Sequence, residues 1–305
     1  HNDPDEERHE REYKDFVKAL AGRNVWVPAR PVERTVINME LLTVGASLAR
    51  RGYGLRVKLN DRATVILLLD TGASGVIITR KLAEKIGASK LSEQGIEGVG
   101  KAGPANGYKA WVDKITIGDL EFHDCYVHAT PREIAEVDGT IGIDVFDKYL
   151  ITLDFSGHKL RLDPLPSVPD SNSHAQSFTQ AFNLGHLLLL PTEVGKKLAG
   201  LFLIDSGANI NTISIEQARV IPEMRLHNVP ISGASGTVNS AFIADSATLR
   251  FARVHPGGEH ISSVDLHSVS KSLGIEVSGQ IGFSAMENMK VTIDYRDGLV
   301  QFVDR

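Results

Sequence analysis

Two aspartates, Asp70 and Asp205, stand in nearly the same surroundings 135 residues apart. Each follows an apolar run, Val65-Ile-Leu-Leu-Leu in one case and Leu201-Phe-Leu-Ile in the other. Each then opens a small corner, Asp70-Thr71-Gly72-Ala73-Ser74 or Asp205-Ser206-Gly207-Ala208-Asn209. An apolar run flanked by turn residues reads as a buried strand. Ending it on an aspartate puts a carboxylate at the edge of a core, where desolvation makes ionisation costly. Two such carboxylates brought together by a twofold repeat cannot both ionise easily, so they share a proton and titrate as a unit. One can then take a proton from water while the other gives one to a carbonyl oxygen, which is general acid–base hydrolysis of an amide with no covalent intermediate. Thr71 and Ser206 carry hydroxyls suited to bonding across a lobe contact, and Gly72 and Gly207 permit the tight turn and close backbone approach such a corner needs. A lone Asp-Thr-Gly reads as a tight turn after a core strand; the second copy changes that reading.

The elements that must position these residues also repeat, in the same order. Gly139-Thr-Ile-Gly142 returns as Gly279-Gln-Ile-Gly282, and Ile151-Thr-Leu-Asp-Phe as Val291-Thr-Ile-Asp-Tyr, both at an offset of 140. Ordered matches with a small drift are what a duplicated domain with loop insertions gives. A glycine-rich stretch around Gly98-Val99-Gly100 has its counterpart in Ile231-Ser-Gly233-Ala234-Ser235-Gly236, and both read as mobile hairpins. The expected fold is mostly β: two similar β-rich lobes with short helices. Residues 1–52 are expected to form an N-terminal helical arm and leading strands, 53–163 the first lobe, 164–177 a Pro-rich and polar linker, and 178–305 the second lobe. Within the arm, Tyr13, Phe16, Val17 and Leu20 recur at helical spacing and predict an amphipathic helix ending at Gly22, either packed on the body or left from a propeptide that covers a site.

Composition excludes several other classes. At 305 residues with 42% hydrophobic and 23% charged content, the chain has the make-up of a globular protein large enough for two domains or one bilobed body. A formal net charge of −5 gives no support to nucleic-acid or acidic-membrane binding. No apolar run reaches the roughly 18 to 20 residues a membrane-spanning helix needs. Cys125 is the single cysteine, so an intrachain disulfide is ruled out. The chain begins at His1 rather than methionine, which leads to the expectation that an upstream segment was removed, a signal peptide being one candidate. Localisation stays open, with a periplasmic or secreted site favoured. Gly98-Val-Gly100-Lys-Ala-Gly103 matches a dinucleotide fingerprint in letters, and Gly95 to Lys101 falls one residue short of a P-loop. Pro104 and Gly107 follow too soon for the helix that either motif requires. His123 and His128 flank Cys125, but their spacing places them on opposite faces of a strand, and His255, His260 and His267 are read as loop residues. No Gly-x-Ser-x-Gly elbow is present.

On these residues the chain resembles the aspartic proteases, and within the pepsin/retropepsin clan the bacterial retropepsin-like aspartyl protease family, here with two such domains fused. The stretches that carry the resemblance are Leu-Leu-Asp70-Thr-Gly-Ala-Ser, Gly98-Val-Gly100, Gly139-Thr-Ile-Gly-Ile-Asp144 and Ile-Thr-Leu-Asp154-Phe. It covers residues 53–163 strongly and 183–303 more loosely. The resemblance implies two β-barrel-like lobes of the acid protease fold and an aspartic-type endopeptidase with no cofactor or metal. It implies Asp70 and Asp205 as the catalytic pair, supported by Thr71, Gly72 and Ala73 and by Ser206, Gly207 and Ala208. Thr71 and Ser206 would form an interlocking grip beneath the pair. The hairpins at Gly98, Val99 and Gly100 and at Gly233, Ala234 and Ser235 would be flaps over a cleft for a peptide or protein substrate. Lobe pairing within one chain implies a monomer; pairing between chains would place the same chemistry in a dimer.

Two departures from the family pattern, and one feature common to both corners, bear on function. Ser284 stands where the first lobe has Asp144, which predicts a missing polar contact in the second lobe. The hairpins lack the tyrosine of pepsin-like flaps, which favours the retropepsin-like kind. Ala73 and Ala208 supply no hydroxyl to the carboxylates, which predicts an activity optimum only mildly acidic. The looser second lobe also admits an alternative, a non-catalytic peptide-binding module on the same fold.

Overall fold

The computed structural model describes residues 4–31, 33–45, 49–96, 105–131, 137–167, 177–227, 231–233, 236–238 and 241–304. The chain is mostly β, and its two apolar runs are buried strands. Ala63–Asp70 buries Leu67, Leu68 and Leu69, and Lys197–Ile204 buries Phe202, Leu203 and Ile204. An aspartate follows each run at the point where the chain leaves the core.

Each aspartate strand sits in the same local arrangement. In the first lobe Ala63–Asp70 pairs in parallel with Gly139–Gly142, which pairs antiparallel with Val76–Thr79, which pairs in parallel with Leu120–Thr130. In the second, Lys197–Ile204 pairs in parallel with Gly279–Ile281, then antiparallel with Asn211–Ser214, then in parallel with Glu259–Val264. The strand after each corner thus returns beside the strand that entered it, with the Gly-x-Ile-Gly segment inserted between them. Both returning strands end in a helix capped in the same way. Thr79 Oγ1 accepts from the Leu82 amide at 3.2 Å, and Ser214 Oγ accepts from the Gln217 amide at 3.2 Å. A short hydroxyl residue at that position both closes a strand and caps the following helix, because its oxygen accepts a hydrogen bond from a free backbone amide.

The first-lobe sheet turns back on itself, because Leu120–Thr130 also pairs antiparallel with Ala105–Ile117, which pairs with Ala49–Leu59 and so with Ala63–Asp70. The strand Ala49–Leu59 crosses the expected boundary at residue 53. The second-lobe sheet runs through Leu187–Val194, Lys197–Ile204, Gly279–Ile281, Asn211–Ser214, Glu259–Val264 and Ala241–Ala247. Here one expectation is corrected in part: His255 lies outside any strand or helix as expected, but His260 lies in the strand Glu259–Val264 and His267 opens the helix His267–Leu273. The run Glu-His-Ile-Ser-Ser-Val has too little apolar alternation to declare a strand, and its last four residues are buried between the neighbouring strands Asn211–Ser214 and Ala241–Ala247.

A third, six-stranded sheet joins the halves. Tyr149–Asp154 of the first lobe pairs antiparallel with Met289–Asp294 of the second, with Thr152 directly opposite Thr292 and their hydroxyls 3.3 Å apart. These two threonines are equivalent in the repeat, so the pseudo-twofold relation passes between them. The main hydrophobic core runs continuously from Leu55 and Leu67 through Leu153 and Val291 to Ile204 and Ile281.

The amphipathic arm is the helix Pro4–Leu20, followed by a turn at Gly22. Its Phe16 packs edge-on against Tyr126 with ring centroids 5.1 Å apart, and Lys109 Nζ lies 3.3 Å from the centre of the Phe16 ring. Burial beneath this arm holds the Lys109 ammonium down to about 8. No helix among the described residues is long and apolar enough to cross a membrane.

Candidate active site

The two corners meet. Thr71 Oγ1 donates to the Ile204 carbonyl at 2.6 Å and accepts from the Ser206 amide at 2.9 Å. In mirror fashion Ser206 Oγ donates to the Leu69 carbonyl at 2.8 Å and accepts from the Thr71 amide at 3.1 Å. Each hydroxyl reaches the backbone on either side of the opposite aspartate, and both residues are buried. Four bonds exchanged in this way fix the corners relative to each other, and leaving any one buried partner unmade would cost about 1–3 kcal/mol.

The glycines make the approach possible. A Cβ on Gly72 would sit 2.8 Å from the Asp205 carboxyl carbon, and one on Gly207 would collide with the Asp70 carboxyl. Glycine at both positions lets each carboxyl lie directly over the opposite corner. The two carboxyls are in hydrogen-bond contact, an interaction that favours the protonated form of Asp70 and the ionised form of Asp205. Both ionise above the ordinary carboxylate range, chiefly because they are desolvated and, for Asp70, because the Asp205 charge is adjacent. Donors oppose this: the Gly72 amide on Asp70 Oδ1 at 2.8 Å and the Ala208 amide on Asp205 Oδ1 at 2.9 Å.

Sequence reading missed three supports. The first is a pair of cross-lobe arms related by the 135-residue offset. Arg51 Nη1 donates to the Gly207 carbonyl, and its equivalent His186 hydrogen-bonds the backbone of Gly72. The Arg51 charge lowers both aspartates, so it partly offsets their desolvation. Different residue types at the two positions hid this pair from a search for repeated letters.

The second corrects the expectation built on Ser284. In the first lobe Asp144 accepts from the Gly75 amide at 2.8 Å and from Ser74 Oγ at 2.9 Å. In the second, three residues share that task. Asn211 Oδ1 accepts from the Gly282 amide at 2.9 Å, while Asn211 Nδ2 donates to Glu259 Oε2 at 2.7 Å and to Ser284 Oγ at 3.1 Å. Glu259, also bonded by Ser284, supplies the carboxylate that Ser284 lacks. The second lobe thus carries a polar network of its own in place of the Asp144 contact, with its carboxylate supplied from another strand.

The third is Gln280, whose amide Nε2 donates to Asp205 Oδ2 while its Oε1 accepts from Thr212 Oγ1 at 2.7 Å.

Ala73 and Ala208 turn the chain with amide bonds to the Asp70 and Asp205 carbonyls, both at 3.2 Å. Of the expected flap residues, Gly98, Val99, Gly100, Ala234 and Ser235 lie outside the described residues. The arms leading to them are antiparallel: Ser89–Ile96 with Ala105–Ile117, and Ile231–Gly233 with Gly236–Val238. Among the described residues no group of three or more His, Cys, Asp or Glu is placed to hold a metal ion. Cys125 is buried, and burial pushes its thiol pKa up.

Comparison with known proteins places this geometry. Residues 55–145 match the family model described as aspartyl protease. No curated protein matches the sequence. Among solved structures, the aspartic proteinase from Irpex lacteus superposes with a TM-score of 0.55 at 14% identity, covering 89% of this chain and 97% of that one. At that identity the likeness is one of fold. Residues 55–145 are thus similar to the aspartyl protease family, and the fold of the chain is that of an aspartic proteinase.

Proposed function

We propose that the chain is an aspartic-type endopeptidase that hydrolyses peptide bonds with a water activated between Asp70 and Asp205. The observation that carries this reading is the interlock itself: four cross-lobe bonds hold two buried carboxyls in hydrogen-bond contact, the arrangement in which a pair shares one proton. A lobe released from catalysis has no need of a costly buried carboxylate, and the second lobe keeps both Asp205 and the Glu259 brace behind it. The brace counts against one of the two supports for a peptide-binding module without turnover, the Ser284 departure; the other is the looser second lobe.

In this reading the two hairpins close over an extended peptide, and no metal or cofactor takes part. The six-stranded sheet that joins the lobes supports a monomer, which gel filtration would check. Because both carboxyls ionise above their ordinary range, the singly charged pair exists in mildly acidic to neutral solution rather than near pH 2–3.

The test is cleavage of an unstructured peptide pool across about pH 3 to 8, the span open to a carboxylate pair. Asp70→Asn and Asp205→Asn should each abolish it. Activity that survives either substitution would overturn the proposal, as would a peak near pH 2–3 for the expected working range.

A further inference from the structure

The repeat is broken at one position that touches the pair. Gln280 corresponds to Thr140 at the same offset of 140 that relates the two Gly-x-Ile-Gly segments. Gln280 is buried, and its amide bridges Thr212 and Asp205. Thr140 is also buried, but its hydroxyl has no hydrogen-bond partner among the described residues. The two aspartates are therefore held differently. Asp205 receives the amides of Ala208 and Gly207 and the side chain of Gln280, whereas Asp70 receives the amide of Gly72. The hydroxyl of Thr212 donates to the Gln280 oxygen and so turns the amide nitrogen towards Asp205.

We propose that Gln280 is a positioning residue that sets the polarity of the pair, making Asp205 the charged member and Asp70 the proton carrier. This deepens the peptidase reading and rests on it. A buried N–H donor favours a carboxylate over a carboxylic acid, and with one proton for two carboxyls the proton then resides on Asp70. Asp205 takes a proton from water as the water oxygen bonds to the scissile carbonyl carbon. Asp70 gives its proton to the carbonyl oxygen, so the C=O becomes a gem-diol. On collapse Asp205 returns a proton to the leaving nitrogen while Asp70 recovers one from a diol hydroxyl. The C–N bond breaks, and acid, amine and the starting pair remain. The other groups facing the pair are Arg51, whose charge lowers both carboxyls, His186 on the Gly72 backbone, and Tyr295, near Asp70. None of them bonds to one carboxyl alone as Gln280 does.

The test follows the two carboxyls directly in the full chain. The 13C signals of the aspartate carboxyl groups are titrated by NMR and assigned with Asp70→Asn and Asp205→Asn. Asp205 should ionise first. In Gln280→Leu combined with Thr212→Val, which removes both partners of the Thr212–Gln280 bond together, that first ionisation should rise by about one pH unit or more, the loss of one charge-assisted bond to Asp205. The acidic limb of kcat/KM should rise with it. Gln280→Glu, which keeps the side-chain length, should raise it further. Ionisation of Asp70 first, or an unmoved Asp205 titration in folded variants, would overturn the assignment. The expected titrations in a protein that cleaves no peptide would support the hold of Gln280 on Asp205 and refute the peptidase reading instead.

Discussion

At the scale of single residues, the site sets two demands against each other. The pair needs buried carboxyls in contact, and burial of that kind opposes folding once the chain must give up protons. Asp70 holds its proton more tightly in the folded chain than in the unfolded one. Between an ordinary aspartate pKa near 3.8 and the raised folded value, the folded state binds the extra proton, so stability falls as pH rises through that window. The contribution is fully present below pH 3.8 and lost above. Asp70→Asn removes this dependence while keeping an acceptor for the Gly72 amide. It should therefore abolish cleavage and stabilise the fold at pH 7 by about 1–2 kcal/mol, the usual scale when an active-site strain is relieved. Below pH 4 the two proteins should unfold alike. Urea unfolding at pH 3.5 and 7 checks this, and equal stability at pH 7 would show that the pair carries no such cost.

At the scale of elements, the two lobes solve one problem with different parts. The first lobe braces its corner with Asp144, which stands two residues after Gly142 and is easily read from the sequence. The second lobe spreads the same function over Asn211, Ser284 and Glu259, which belong to three separate elements. This marks what sequence could and could not reveal. Asp70, Thr71 and Gly72, and likewise Asp205, Ser206 and Gly207, are contiguous, so one short stretch shows the whole corner. Glu259 and Gln280 act only because strand pairing brings them beside a distant residue, and Arg51 and His186 reach across the lobe contact from strand ends. The available signal was positional: both members of each pair share an offset, although their side chains differ.

The shared brace makes a prediction that runs against simple comparison of the lobes. Restoring the first-lobe residue with Ser284→Asp should not help, because the new carboxylate would face Glu259, whose own charge is already opposed by burial and by Glu287. We expect Ser284→Asp to destabilise the chain by about 2 kcal/mol, the scale of a stranded buried polar group. Adding Glu259→Gln should recover most of that loss. A stabilised single variant in urea unfolding would mean that Glu259 does not carry the brace.

At the scale of the whole molecule, the proposed working pH and the pH of best stability depend on different groups. His128 lies in the strand beside the first corner, buried against Tyr126 and close to Gly75. Burial is the main cause that drives its pKa down to about 3, with the Lys109 and His186 charges adding to it. Tyr126 and Lys109 in turn are covered by Phe16, so the helical arm helps to keep this region dry. A histidine held neutral in the folded chain stabilises it above the unfolded pKa near 6.5, and that contribution is lost as pH falls towards the folded value. The loss can reach about 1.4 kcal/mol per pH unit in that window. Under the proposed activity, acidification supplies the proton the pair would need, while it works against the strand that supports it. His128→Gln, which keeps a polar side chain that cannot titrate, should flatten the decline in Tm between pH 7 and pH 4 and leave the pH 7 value little changed. An identical decline in both proteins would move the source of acid lability elsewhere. A flattened one would show that a buried histidine, well outside the pair, sets the acid limit within which the two aspartates can be used.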